Sequence, residues 1–328
     1  MLVISEKLAR ELVSLEDAIE AVATAFKAAH EEKARSFPVV REAVGRAEAV
    51  FGVKAGYDGS LPILGLKAGG YWPRNAAAGR TNHQSTTLLF DPDSGQPTGL
   101  VSANYLTGVR TGAASALASR HLARPDARVL GLIGTGAQSV HQFRAAVAVR
   151  PLTRVLAWDP DKANLAAFGQ MVSQQGLAFE ATDIADVARH SDILITITPS
   201  RTAMVRREWI RPGTHINAMG ADTAGKQELD PELVAAASLV VDDAEQAISI
   251  GECQHAYRLK LIDRDRLRWT LGAVVSGAFA RGSAEEITLF DGTGVALQDL
   301  AVAVLAHRRA KDRGLGAVCD FAEAAAIR

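Results

Sequence analysis

The sequence predicts an α/β chain in which a doubly wound parallel sheet is inserted in a second, α+β domain. Three observations carry this. From Ala127 to about Val241 apolar runs alternate with helical segments, as parallel strands covered by helices on both faces require. From Arg35 to Phe90 the texture differs: short apolar pieces are broken by Gly, Asn, Asp and Pro, as in a sheet of hairpins. Beyond Asp291-Gly292-Thr293-Gly294 an alanine-rich helix returns the chain to the first domain. The expected division is 1–120 with 292–328 in one domain, and 121–291 in the inserted one.

Taken in order, Ser14-Leu15-Glu16-Asp17 forms a capped helix start, with Ser14 accepting from the third helical amide and Asp17 answering. Ala18, Val22, Ala25, Phe26 and Ala29 keep helical spacing, so this helix runs to about His30. Strands follow at Phe37–Val40, Val50–Val53, Ile63–Ala68 and Thr86–Phe90, with hairpin loops at Tyr57-Asp58-Gly59-Ser60 and Asp91–Pro97. Gly108–Leu122 is helical in composition. In the inserted domain, strands are expected at Arg128–Ile133, Arg154–Trp158, Ile193–Ile197, His215–Met219 and Leu239–Val241. Helices at Lys162–Gln174 and Pro231–Ala236 lie between them. A helix after Thr270, a strand at Ile287–Phe290 and the helix Val295–Ala310 complete the chain.

The first inserted strand runs into Gly134-Thr135-Gly136-Ala137-Gln138-Ser139 and then a helix-compatible stretch, Val140–Val149. Glycine suits that position because the backbone turns sharply and comes close to a pyrophosphate, which the first helical amides then face. The next strand closes on Asp159, about 20 residues beyond the loop, where a carboxylate accepts ribose hydroxyls. Ser139 stands where the usual fingerprint has Gly or Ala, and the glycines alone fit an unliganded strand-to-helix turn better than a ligand site. Strand, loop, helix and acid together predict a Rossmann-type dinucleotide site. Asp159 repels a 2′-phosphate, so NAD(H) is the preferred cofactor; Lys162 nearby leaves NADP(H) open.

The composition is 48% apolar and 22% charged, that of an ordinary globular chain, and 328 residues suffice for two cores. A net charge of −1 with interspersed signs offers nucleic acid or an anionic membrane no complementary surface. Cys253 and Cys319 make neither a disulfide framework nor a metal spacing, and no metal is expected. Met1–Leu12 lacks the apolar core of a signal peptide, and no apolar run approaches the roughly 20 residues of a membrane span. The expected compartment is the cytoplasm.

Candidate chemistry rests on charges in apolar or loop settings. Lys67 lies within Leu64-Gly65-Leu66-Lys67-Ala68-Gly69-Gly70, where a buried ammonium needs a partner or a role; the alternative is an edge-strand lysine reaching solvent. Arg110, where a loop enters a helix, and Arg41, near a strand end, suit a carboxylate, although either alone reads as a surface residue. Asp222 follows an apolar strand at the edge where open α/β sheets bind ligands; it is either a proton donor or acceptor, or a cap for the next helix. His83 precedes a strand as a loop hydrogen-bonding residue or a substrate contact.

Four runs, taken in order, resemble the ornithine cyclodeaminase/μ-crystallin family over nearly the whole chain. They are Thr107-Gly108-x-Arg110-Thr111-Gly112-Ala113, Gly134-Thr135-Gly136-Ala137-Gln138, Gly220-x-Asp222-x-x-Gly225-Lys226-x-Glu228-Leu229 and Asp291-Gly292-Thr293-Gly294. The resemblance implies a homodimer, with a substrate-binding and dimerisation domain, a Rossmann domain and an active site in the cleft. It implies that Arg41, Lys67 and Arg110 hold a substrate carboxylate. Asp222 would be the catalytic acid with Lys67 beside it, His83 a substrate contact, and Thr293 close to nicotinamide and substrate. Thr111, Thr198 and Met219 join the glycine loop and Asp159 as cofactor contacts.

Ornithine-specific members carry Lys-Tyr-Val-Asn-Gly-His-Pro, whereas this chain reads Lys67-Ala68-Gly69-Gly70-Tyr71-Trp72-Pro73. Glu48 and Asp58 also fall out of register with the acid that ornithine cyclisers use, while His83-Gln84 resembles the ketimine reductases. The expected activity is therefore NAD(P)H-dependent reduction of a cyclic imino acid: Δ1-pyrroline-2-carboxylate to L-proline, or its six-membered analogue. Alanine dehydrogenase, ornithine cyclodeaminase and a non-enzymatic crystallin-like binding protein are the rivals.

Overall fold

A computed structural model describes residues 1–321, which form two compact units, Met1–Arg110 with Val295 onward, and Thr111–Gly294. The boundary falls inside one helix, Asn104–Leu122, where the sequence placed it at residue 120.

The first unit holds strands β1 (Leu2–Ile4), β2 (Ala34–Ser36), β3 (Val40–Ala43), β4 (Val50–Asp58), β5 (Ile63–Tyr71), β6 (His83–Phe90) and β7 (Pro97–Ser102). With the short strand Ala317–Val318 they make an eight-stranded sheet in which β3 pairs with β4 beside β2. Pairing is antiparallel except between β1 and β7. The expected strand Phe37–Val40 is instead a break between β2 and β3: Phe37 still bonds Ala55, but Pro38 has no amide to continue the ladder. Helices α1 (Glu6–Leu12) and α2 (Leu15–His30) follow β1, and Ser14 and Asp17 form the expected capping box. The C-terminal helix, Ala296–Asp312, lies on one face of the sheet. Gly65 permits that contact, since a Cβ there would come within 2.8 Å of Leu300 and 2.7 Å of the Leu88 carbonyl.

The second unit begins within α3 (Asn104–Leu122) and is built on β8 (Val129–Ile133), β9 (Arg154–Trp158), β10 (Ala178–Ala181), β11 (Ile193–Thr196), β12 (Arg201–Val205), β13 (His215–Ala218), β14 (Gln227–Leu229), β15 (Ser238–Val241) and β16 (Thr288–Asp291). Seven of these form a fully parallel sheet in the order β10-β9-β8-β11-β13-β16-β15. The strand order reverses at β8, as in a doubly wound dinucleotide fold. Strands β8, β9, β11 and β15 are rich in Val, Ile, Leu and Ala because both faces are buried, whereas the edge strand β10 is mostly exposed. Helices α4 (Ser139–Val149), α5 (Lys162–Gln174), α6 (Ile184–His190), α7 (Pro231–Ala236), α8 (Ala244–Ser249), α9 (Cys253–Arg258) and α10 (Leu271–Val275) connect the strands. Strands β12 and β14 pair separately, outside the main sheet.

Among the described residues no helix is long and apolar enough to cross a membrane.

Candidate active site

In the first unit, β5 brings Lys67 onto the helix-covered face, in line with Ile63 and Gly65. The C-terminal helix meets it with Asp299, and α3 adds Arg110; the three are 7%, 3% and 6% exposed. Lys67 Nζ and Arg110 Nε donate to the same oxygen, Asp299 Oδ1, at 2.8 and 2.9 Å. Arg110 Nη1 donates to Gln298 Oε1 at 2.9 Å, and Thr107 Oγ1 lies 3.4 Å from Lys67 Nζ.

Burial, set against the attraction of Asp299 and reinforced by Arg110 and Lys54, brings Lys67 down to about 7. Burial opposes ionisation of Asp299 too, but Arg110, Lys67 and Lys54 outweigh it and hold the acid near 2. Lys54 is the cross-strand partner of Lys67, and Arg41 pairs with Gly52 two positions along, so all three side chains share one sheet face. His83 opens β6 opposite Tyr71 on the same face.

In the second unit Gly134 takes φ +99°, and a Cβ there would lie 2.7 Å from the Ile197 carbonyl. The Thr135 amide donates to Asp159 Oδ2 at 2.5 Å and the Asp161 amide to Oδ1 at 2.8 Å, so Asp159 ties the glycine loop to the end of β9. Three features of this loop suit a dinucleotide. A Cβ at Gly136 would meet nothing within 4 Å. The amides of Gly136, Ala137 and Gln138 reach no acceptor among the described residues. Thr135 Oγ1 and Gln138 Oε1 are buried with no hydrogen-bond partner among the described residues. Donors and acceptors left unused at a helix N-terminus match pyrophosphate and ribose oxygens.

Asp222 follows β13, half-buried, and receives Lys226 Nζ at 2.7 Å and Thr223 Oγ1 at 3.1 Å, so it is salt-bridged rather than a helix cap. The loops around it are fastened by Glu228. This acid accepts from Thr196 Oγ1 at 2.8 Å, the Thr198 amide at 2.7 Å and the Gly220 amide at 2.9 Å. It therefore locks together the segments carrying Thr198, Met219 and Asp222. Glu252 in turn accepts from the Glu228 and Leu229 amides. Burial raises the proton affinity of both acids, most strongly at Glu252, which also faces the Glu228 charge. Thr293 donates to Asp242 Oδ1 at 2.7 Å, and its neighbour Gly292 packs against Met219. Thr111 lies buried on α3, in this unit rather than the first.

Asp299, Gln298 and Asp242 are not among the residues expected from the sequence, and Glu228 and Lys226 are expected there without a role. For Asp299 one signal was present: a Gln-Asp pair within Val295-Ala296-Leu297-Gln298-Asp299-Leu300, otherwise an apolar helix start.

One unit is Rossmann-type with an unsatisfied glycine loop and the other bears a buried Lys–Asp–Arg cluster; together they have the make-up of a dinucleotide-dependent enzyme. The chain belongs to the ornithine cyclodeaminase/mu-crystallin family, whose model matches residues 1–314. It is 46% identical to the iminosuccinate reductase of Paracoccus denitrificans over 96% of this chain and 98% of the relative. The structure of that enzyme in complex with NAD+ superposes with a TM-score of 0.91, covering 97% of this chain and 98% of the other. The Δ1-pyrroline-2-carboxylate reductase of Thermococcus litoralis, in complex with NADH and L-proline, is 31% identical over 97% of this chain and 100% of the other, with a TM-score of 0.93. An archaeal alanine dehydrogenase, a dimer with bound NAD, is 34% identical over 98% of this chain and 99% of the other, also with a TM-score of 0.93.

Proposed function

We propose that this protein is an oxidoreductase that uses NADH to reduce the C=N bond of a small α-imino acid. The observation that carries the reading is the buried cluster in which Lys67 and Arg110 share one oxygen of Asp299. With all three ionised it bears one net positive charge, the complement of one carboxylate. When bound, the reduced nicotinamide supplies a hydride to the imine carbon. The glycine loop and α4 hold the pyrophosphate, and Asp159 accepts the ribose hydroxyls and repels a 2′-phosphate, which favours NAD(H) over NADP(H). Lys67 and Arg110, with Arg41 beside them, hold the carboxylate and so fix which carbon is reduced. Asp222, oriented by Lys226, holds a proton at the imine nitrogen, since the protonated imine is the better electrophile. Thr293, His83, Thr111, Thr198 and Met219 complete the substrate and cofactor contacts.

Similarity at 46% identity to an iminosuccinate reductase supports open-chain iminosuccinate as the first candidate substrate, ahead of the cyclic imines expected from sequence. Δ1-pyrroline-2-carboxylate is kept as the second substrate on the strength of the proline-bound neighbour. The test is NADH oxidation against oxaloacetate plus ammonia, Δ1-pyrroline-2-carboxylate, pyruvate plus ammonia, and ornithine. Stoichiometric NADH consumption with the first mixture, exceeding the others, is expected. Ammonia and proline formed from ornithine with only catalytic NAD+ would establish a cyclodeaminase instead.

We further propose a homodimer formed through the first unit. The sheet face opposite the C-terminal helix carries the cross-strand rows Ala55–Leu66–Leu88–Leu100 and Tyr57–Leu64–Phe90, all only half-buried, with Val40 and Phe51 exposed. An apolar patch of this extent marks an association surface. Light scattering should give twice the chain mass, and Leu66→Lys with Leu88→Lys should give the monomer.

A further inference from the structure

We propose that Asp299 is a positioning residue for this reaction: by tying Lys67 and Arg110 to a single oxygen, it presents both cations to one substrate carboxylate. The inference rests on the reading that these two residues bind that carboxylate. Asp299 comes from the first turn of the C-terminal helix, where an acid ordinarily complements the helix dipole from the surface. Here it is buried, and one oxygen receives both cations. The second oxygen, Oδ2, is buried with no hydrogen-bond partner among the described residues. A carboxylate placed only to stabilise a fold would have both oxygens satisfied, because a buried charge is costly and a half-used one more so. Its preceding residue acts in the same direction: Gln298 holds Nη1 while Asp299 holds Nε, so consecutive side chains fix the plane of the guanidinium. A planar fork aligned in advance loses less entropy when it meets a carboxylate.

Asp299 also governs the pH range of the pair. The charged groups facing Lys67 are Asp299 from the C-terminal helix, Arg110 from α3 and Lys54 from β4, together with the neutral hydroxyl of Thr107. Burial and the two cations favour the neutral amine, and Asp299 alone among these opposes them. Without its charge Lys67 loses its proton at lower pH, and the rise of KM on the alkaline side begins earlier.

The test is Asp299→Asn in the full chain, with kcat and KM for the imino acid followed across pH. KM should rise by about tenfold or more, since charge-assisted anchors of both cations are lost, while kcat changes little. The alkaline rise of KM should move to lower pH, and Asp299→Glu, which keeps the charge, should restore its position. A folded Asp299→Asn protein with wild-type KM and an unmoved alkaline limb would overturn the proposal. If Asp299→Asn does not fold, Gln298→Ala decides: it loosens Arg110 alone, so KM should rise with the limb unmoved, and an unchanged KM would count against positioning through the helix. Should the wild type reduce no imino acid, the proposed function fails by itself. Asp299 is then judged by NMR titration of the Lys67 ε-carbon, where a lower midpoint in Asp299→Asn than in wild type supports the role and an equal midpoint overturns it.

Discussion

At the scale of single residues, Asp159 carries two duties that pull against each other in any attempt to change cofactor. As the proposed ribose acceptor it would favour NAD(H), and as acceptor for the Thr135 and Asp161 amides it holds the glycine loop in shape. Asp159→Ser should therefore lower the preference for NADH over NADPH, yet also weaken NADH binding by about tenfold or more, equivalent to ~1.4 kcal/mol. Fluorescence titration with both cofactors checks this, and an unchanged NADH Kd would leave Asp159 a bystander. Arg110→Lys removes the bonds to Asp299 and Gln298 together. A loss of about 1.5–3 kcal/mol in substrate binding should appear as a rise of roughly 10- to 150-fold in KM at little changed kcat. Lys67 was legible in the sequence because a cation in an apolar segment requires explanation, whereas Arg110, a surface residue when read alone, stood out only through the family-like run Thr107-Gly108-x-Arg110-Thr111-Gly112-Ala113. Asp299 was not, since an acid in a first helical turn already has an ordinary one. Glu228 and Glu252 were opaque for another reason: they serve backbone amides, and an acid's partners cannot be read when they are main chain.

At the scale of elements, the parallel sheet was legible because strands buried on both faces leave unbroken apolar runs, and its helices keep a strong period. What escaped was short or half-exposed: β10, α6 and the β12–β14 pair lie in segments too brief for periodicity to register. The β3–β4 hairpin escaped because its turn goes against local preference. Ala47 and Glu48 both have positive φ, 52° and 57°, and the Ala49 amide closes on the Arg46 carbonyl at 3.0 Å, as in a type I′ turn. Such a turn favours Asn-Gly, and each non-glycine residue held there costs roughly 1 kcal/mol. The double substitution Ala47→Asn with Glu48→Gly should therefore stabilise the first unit by about 1–2 kcal/mol in urea unfolding. Because β3 carries Arg41, substrate KM should be measured on the same protein. Gained stability with raised KM would show that the strained turn helps set Arg41, and no gain in stability would refute the strain.

At the scale of the whole molecule, buried titratable groups set how stability follows pH, and His215 gives the clearest case. It sits on β13, an interior strand of the parallel sheet, with its ring nitrogens against Thr288 Oγ1 at 2.9 Å and Asn217 Oδ1 at 3.2 Å. Burial, partly offset by the bond to Asn217 and reinforced by Arg281 and Arg150, depresses it from 6.5 to about 3. Between those values the unfolded chain binds the proton that the folded chain refuses. The His215 contribution to stability is therefore greatest above pH 6.5 and falls away as pH drops toward 3. Asp291 runs the other way: burial raises it to about 7 from 3.8, so over that window the folded chain binds the extra proton and stability declines as pH rises. The two contributions oppose each other between pH 4 and 6.5, which flattens the profile of the wild type. Replacing His215 should unmask the Asp291 slope. His215→Gln, followed by urea unfolding at several pH values, should gain relative to wild type on acidification by up to about 1.4 kcal/mol per pH unit, the limit for one proton. A difference between the two proteins that stays constant from pH 6.5 to 4 would mean that His215 is protonated in the folded sheet, and that the sheet centre is wetter than its packing implies.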